Sequence, residues 1–106
     1  MGNNTYTLNI YPLARADMED IFRYISEELC NPDAALALVG DMEEALDRVC
    51  QNPFMRPLVR SRLIKDKTLR KLIVKNYIIF YRPMELKKEI QVVRVLYGMR
   101  DYENIL

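Results

Sequence analysis

The 106-residue sequence contains no histidine, only three glycines and two cysteines, and no apolar run near the roughly 20 residues that span a membrane. Without histidine, a His-containing zinc site and any Ser-His or Cys-His catalytic pair are excluded. Three glycines leave no room for a Gly-rich phosphate loop. Cys30 and Cys50 fall near the ends of two successive predicted helices, so about 20 residues at roughly 1.5 Å rise would hold them nearly 30 Å apart. That is far beyond disulfide reach. Both are expected to be small buried or half-buried apolar residues, and no metal or cofactor is expected. The N-terminal stretch MGNNTYTLNIYP has neither a basic n-region nor a continuous apolar h-region, so the chain reads as cytosolic and free of the membrane.

Charge is plentiful but segregated. Residues 1–53 carry 3 Lys/Arg against 10 Asp/Glu, a net of −7, whereas residues 54–106 carry 13 against 5, a net of +8. The overall charge of +1 hides this division. One reading is a surface that seeks a polyanion or an acidic protein segment; the other is a pair of solvated helices followed by a Lys-rich loop.

Half of the residues are apolar, and their spacing separates elements within what reads as one domain over residues 1–106. Tyr6 to Tyr11 alternates and predicts a strand ending at Pro12. Ala14, Met18, Ile21, Phe22, Ile25 and Leu29 recur at helical spacing, predicting a helix from about Leu13 to Leu29. Asn31-Pro32-Asp33 stops that helix and starts another: Asn caps, Pro fits the first helical position and Asp favours the positive end of the dipole. Ala35, Leu38, Val39, Met42, Leu46 and Val49 form the second stripe, which Asn52-Pro53 ends. So short a connection predicts an antiparallel hairpin, with close helix approach as the reason for Gly40.

Residues 54–68 read as a long basic loop. Leu69–Val74, Tyr77–Arg82 and Ile90–Leu96 then predict an antiparallel meander. The fold class is therefore α+β, in the order β-α-α-β-β-β, with a two-helix hairpin packed on an antiparallel sheet. Strand alternation places Tyr77, Ile79 and Tyr81 opposite Ile78, Phe80 and Arg82, and Val92, Arg94 and Leu96 opposite Val93, Val95 and Tyr97. Both faces are substantially apolar. The hairpin covers one, so the other requires a partner or, alternatively, a cover formed by the basic loop and the C-terminal tail.

Cations and aromatics associated with this sheet suit phosphate gripping, base stacking or stabilisation of a charged transition state in RNA cleavage; ordinary structural roles are the alternative. The acidic groups Asp17/Glu19/Asp20, Glu27/Glu28 and Glu43/Glu44/Asp47 lie on helix faces, where solvation is their expected role.

YTLNIYPLARADMEDIFRYI, NPDAALALVGDMEEALDRVCQNP, LRKLIVKNYIIFYRP and IQVVRVLYGMRDYENIL together resemble the RelE/ParE superfamily, the toxins of type II toxin-antitoxin modules. The resemblance extends over nearly the whole chain. It implies a small cytoplasmic toxin that inhibits growth, of the kind linked to plasmid stabilisation. A cognate antitoxin would neutralise it by wrapping it with apolar anchors and acidic groups, and DNA would be met only indirectly, through that antitoxin. ParE-like members poison DNA gyrase; RelE-like members cleave mRNA on the ribosome without a metal. Strand positions at which the nucleases carry cations are occupied here by Ile73 and Ile78, and Tyr97 stands where His often precedes the closing Arg. Gyrase inhibition is therefore the preferred expectation, with Arg94 to Leu106 as the contact surface. For the nuclease alternative, Lys71, Arg82, Arg94, Tyr97 and Arg100 are the candidate catalytic residues. A non-toxic RNA- or protein-binding module is the third reading.

Overall fold

A computed structural model describes residues 5–100 and 102–106. Its elements are β1 (Thr7–Ile10), α1 (Pro12–Arg23) continued by a π turn (Tyr24–Glu28), α2 (Pro32–Gln51), β2 (Arg70–Val74), β3 (Tyr77–Met84), β4 (Glu89–Tyr97) and a terminal 3-10 turn (Tyr102–Asn104). Two helices pack on a four-stranded sheet in the expected order β-α-α-β-β-β. The strands run β1-β4-β3-β2 across the sheet. β1 joins β4 in parallel, Leu8 beside Ile90 and Ile10 beside Val92, so the sheet is mixed where the sequence suggests a purely antiparallel one.

The predicted first helix is present, but its last turn widens. The Leu29 amide donates to Tyr24 O at 3.0 Å, five residues back, and the Ser26 hydroxyl donates to Phe22 O at 2.8 Å. Such hydroxyl back-bonding perturbs the regular helical ladder. Cys30 then turns the chain with φ 51°, and its side chain is exposed, contrary to expectation; Cys50 is buried as expected. Asn31 caps α2 by accepting from the Ala34 amide at 3.1 Å, with Pro32 at the first helical position. Gly40 departs from its expected role: a Cβ there would meet nothing within 4 Å, so close packing does not explain it.

The main core lies between the helices and one sheet face. Leu38, Met42, Leu46 and Val49 of α2 bury against Leu72, Val74, Ile79, Tyr81, Val92 and Val95. A second core occupies the opposite face, where Val59, Ile64 and Leu69 of the basic loop join Ile78, Phe80 and Leu96, with Tyr102, Ile105 and Leu106 packed against them. The chain's own loop and tail therefore cover the face for which a partner was one expectation. Phe80 and Tyr102 mark the seam, their ring centroids 5.1 Å apart.

The expected alternation fails in β4. Register shifts between Phe80, opposite Arg94, and Tyr81, opposite Val92, leaving Val93 as the extra residue of a bulge. Val92 and Val95 consequently enter the main core, while Val93 and Leu96 serve the second. Pro83 is tolerated in β3 because pairing with β2 ends at Tyr81, beyond which β3 has a free edge.

Candidate functional site

The five residues nominated from sequence do not converge. Arg82 and Arg94 border one cavity of about 740 Å³, lined also by Tyr11, Asp66, Val93 and Leu106. Tyr97 and Arg100 border another of about 570 Å³, beside Tyr24, Tyr77, Asn76 and Asp20. Lys71 stands apart on β2, opposite Phe80, its amide donating to Pro57 O at 3.1 Å.

The two nominated strand arginines, Arg82 and Arg94, are already engaged. Arg94 donates from Nε and Nη2 to the two carboxylate oxygens of Asp17, at 2.7 and 2.9 Å, and the Val95 amide adds a third bond at 3.0 Å. The hydrogen bond that Arg94 donates to Asp17, opposed by partial burial and reinforced by the negative charge of Asp17, raises the affinity of Arg94 for its proton. Asp17, expected to be a solvated helix residue, is thus the fixed partner of a strand arginine.

Arg82 is held from three sides. Nε donates to Gln91 Oε1 at 2.7 Å, Nη1 pairs with Asp66, and Nη2 lies 3.4 Å from Tyr11 Oη, with the guanidinium 5.7 Å from that ring's centroid. The bond to Tyr11 and the pairing with Asp66 raise its proton affinity against the effect of burial. On Asp66, burial pushes the carboxyl upward, but hydrogen bonds from the Thr68 hydroxyl and amide and from Arg82 outweigh it and leave the group below its ordinary value. Gln91 is itself buried and donates onward to Glu89 at 2.9 Å.

Tyr97 is half-exposed and packs edge-on against Tyr77, centroids 5.8 Å apart. Burial and the neighbouring Tyr24 and Tyr97 raise the Tyr77 hydroxyl above its ordinary value. Arg100 is exposed and forms no ion pair among the described residues. Ile73 is 64 % exposed, whereas Ile78 is only 8 % exposed beneath the loop, so a cation at position 78 would lie in the second core. Sequence reasoning missed Tyr11, Asp17, Asp66 and Gln91. Their signal is weak: acids on a helix face and in a basic loop look solvated until the fold brings arginines to them. Among the described residues no three His, Cys, Asp or Glu side chains assemble a metal site, and no helix is long and apolar enough to cross a membrane.

The two-helix layer on a four-stranded mixed sheet is a fold found in chains of solved toxin-antitoxin complexes. Two solved structures share this fold. A chain of the chromosomal ParDE toxin-antitoxin system from P. aeruginosa superposes with a TM-score of 0.68 at 23% identity, over 90% of this chain and 98% of that one. A chain of the toxin-antitoxin complex RelBE2 from Mycobacterium tuberculosis does so at 0.62 and 19%, over 88% and 98%. No curated protein sequence matches significantly. The chain belongs to the ParE toxin family: the family described as the ParE toxin of the type II toxin-antitoxin system parDE matches residues 8–102. It is the toxin of a type II toxin-antitoxin system.

Proposed function

We propose that this toxin works in the cytoplasm by binding rather than by cleaving: it arrests growth by engaging DNA gyrase and is held inactive by a cognate antitoxin. The supporting observation is that Arg82 and Arg94, the cations best placed on the sheet, each spend their charge on a carboxylate of this chain, at Asp66 and Asp17. A ribonuclease needs cations aimed at developing phosphate charge. An arginine closed into a bidentate carboxylate pair is a poor source of it. Separation of these arginines from Tyr97 and Arg100 in different cavities supports the same reading.

One observation favours the ribonuclease reading. Tyr97 and Arg100 border a single cavity, both exposed, and would supply a hydroxyl and a cation to RNA. Expression of the chain without antitoxin separates the two. Gyrase inhibition predicts growth arrest with a DNA-damage response and falling DNA synthesis before translation fails, together with loss of supercoiling activity when the purified chain meets gyrase. Immediate loss of methionine incorporation with DNA synthesis intact overturns it. Arg100→Ala should abolish toxicity while preserving the fold. Arg82→Ala is a poorer probe, because it also releases Asp66, Gln91 and Tyr11.

A further inference from the structure

We propose that the ridge formed by residues 56–67 is a nucleic-acid phosphate-binding surface of the toxin itself, additional to any contact made through the antitoxin and independent of its protein target. Arg56, Arg60, Arg62, Lys65 and Lys67 are all exposed. The sole carboxylate within the ridge, Asp66, is spent internally on Arg82 and Thr68. Among the described residues Arg60, Arg62 and Lys65 form no ion pair. The Glu103 carboxylate accepts a hydrogen bond from Ser61 but pairs with none of these three cations, so their positive charge is directed outward and exceeds the negative charge beside it.

The ridge is also built. Val59, Ile64 and Leu69 turn inward to form the second core. The Val59 amide donates to Leu69 O at 2.8 Å, and Lys67 Nζ to Ser61 O at 2.8 Å, closing the loop upon itself. Inward apolar residues and internal hydrogen bonds fix the backbone, so the cations are displayed from a scaffold and less ordering accompanies binding. Lys67 further borders a cavity of about 530 Å³ together with Lys87 of the β3–β4 turn, extending the positive surface beyond the loop.

Two features favour nucleic acid over an acidic protein segment. Three of the five cations are arginines, whose planar forks match phosphate oxygens. Leu63 is the one large apolar side chain left exposed between residues 56 and 67, whereas a protein segment docked by coupled folding would want several apolar anchors. The acidic α1 and α2 lie on the far side of the sheet, so a polyanion is attracted to the ridge and repelled from the helices, which orients the molecule.

The test uses the full chain and fluorescent duplex DNA, single-stranded RNA and poly-glutamate of matched charge, titrated over a range of salt. Wild type is expected to bind nucleic acid with affinity that falls steeply with salt, and stronger binding of the duplex or of the single strand identifies DNA or RNA as the source of the phosphates. Replacing Arg60, Arg62 and Lys65 by Gln should lower the log–log salt slope on duplex DNA by about 3, near 0.9 for each phosphate no longer neutralised. The thermal midpoint should be unchanged, since all three are exposed. Removing the same charge from the helices, with Arg15→Gln, Arg23→Gln and Arg48→Gln, should leave the slope as in wild type. No binding to either nucleic acid at low salt, equal loss in the two triple variants, or poly-glutamate binding as tight as DNA each overturns the proposal.

Discussion

Asp17 terminates three hydrogen bonds from β4, and its side chain is only 14 % exposed against 21 % for Arg94. Removing one member of a buried pair leaves the other charge uncompensated, a larger penalty than the pair's own net contribution. Asp17→Ala should therefore cost about 2–4 kcal/mol by urea unfolding, at or just below the range for fully buried pairs. Asp17→Leu combined with Arg94→Met should recover much of that loss; a double variant as unstable as the single would mean that the Val95 amide, not the charge, dominates. Gly40 presents the opposite case. It sits inside α2 with open space where a Cβ would go and with no positive φ, so Gly40→Ala should stabilise by about 0.5–1 kcal/mol, seen as a higher urea midpoint with an unchanged m-value. Asp66 links stability to pH. Its folded-state carboxyl lies below the ordinary 3.8, so its contribution is complete above that value and disappears as pH falls through the folded one. Asp66→Asn should accordingly be less stable than wild type near pH 7, and the difference should close as pH falls through the lowered folded value, where the protonated aspartate is neutral like the asparagine.

At the scale of elements, the helices and strands were legible because each carries a single period over enough residues, and the Asn31-Pro32 boundary announces itself chemically. Faces were not legible in β4. One extra residue, Val93, reverses the inward set beyond it, and a local bulge leaves no mark on a Val-rich run whose members suit either side. The second core was no clearer, because its loop contributors Val59, Ile64 and Leu69 fall five residues apart, a spacing that matches neither the helical nor the strand period, and stand among cations. The candidate site shares that difficulty: Arg82 meets Asp66 across 16 residues and Arg94 meets Asp17 across 77, separations that no local pattern encodes. The terminal turn is where this matters for stability. Tyr102 packs on Phe80 and is half-buried, so Tyr102→Ala should cost about 1–2 kcal/mol, less than the roughly 3–5 of a fully enclosed aromatic. Binding of a hydrophobic dye should rise as Phe80 and Leu96 lose their cover. Unchanged dye binding together with an unchanged urea midpoint would show that the loop alone seals that face.

For the whole molecule, the consequential property is that charge follows architecture. The net −7 of residues 1–53 resides mostly on α1 and α2, over one sheet face; the net +8 of residues 54–106 belongs to the sheet and to the loop and tail over the other. A formal net charge of only +1 supplies almost no colloidal repulsion at neutral pH, while the two faces attract one another between copies. The purified toxin should therefore associate head-to-tail at low ionic strength, through the acidic helices of one copy and the basic ridge of the next. Exposed charges separated by water are screened beyond about 8 Å at physiological salt, so this association should dissolve as salt approaches that level. Light scattering or sedimentation across a salt series measures it directly. Neutralising Arg60, Arg62 and Lys65 should suppress association at low salt, whereas neutralising Arg15, Arg23 and Arg48 on the helices should not. Both variants change the net charge equally, so a purely colloidal effect predicts the same behaviour for the two. Salt-insensitive association would instead assign self-contact to exposed apolar residues such as Leu63, Ile73 and Met99, and the charge separation would then govern only encounters with foreign polyanions.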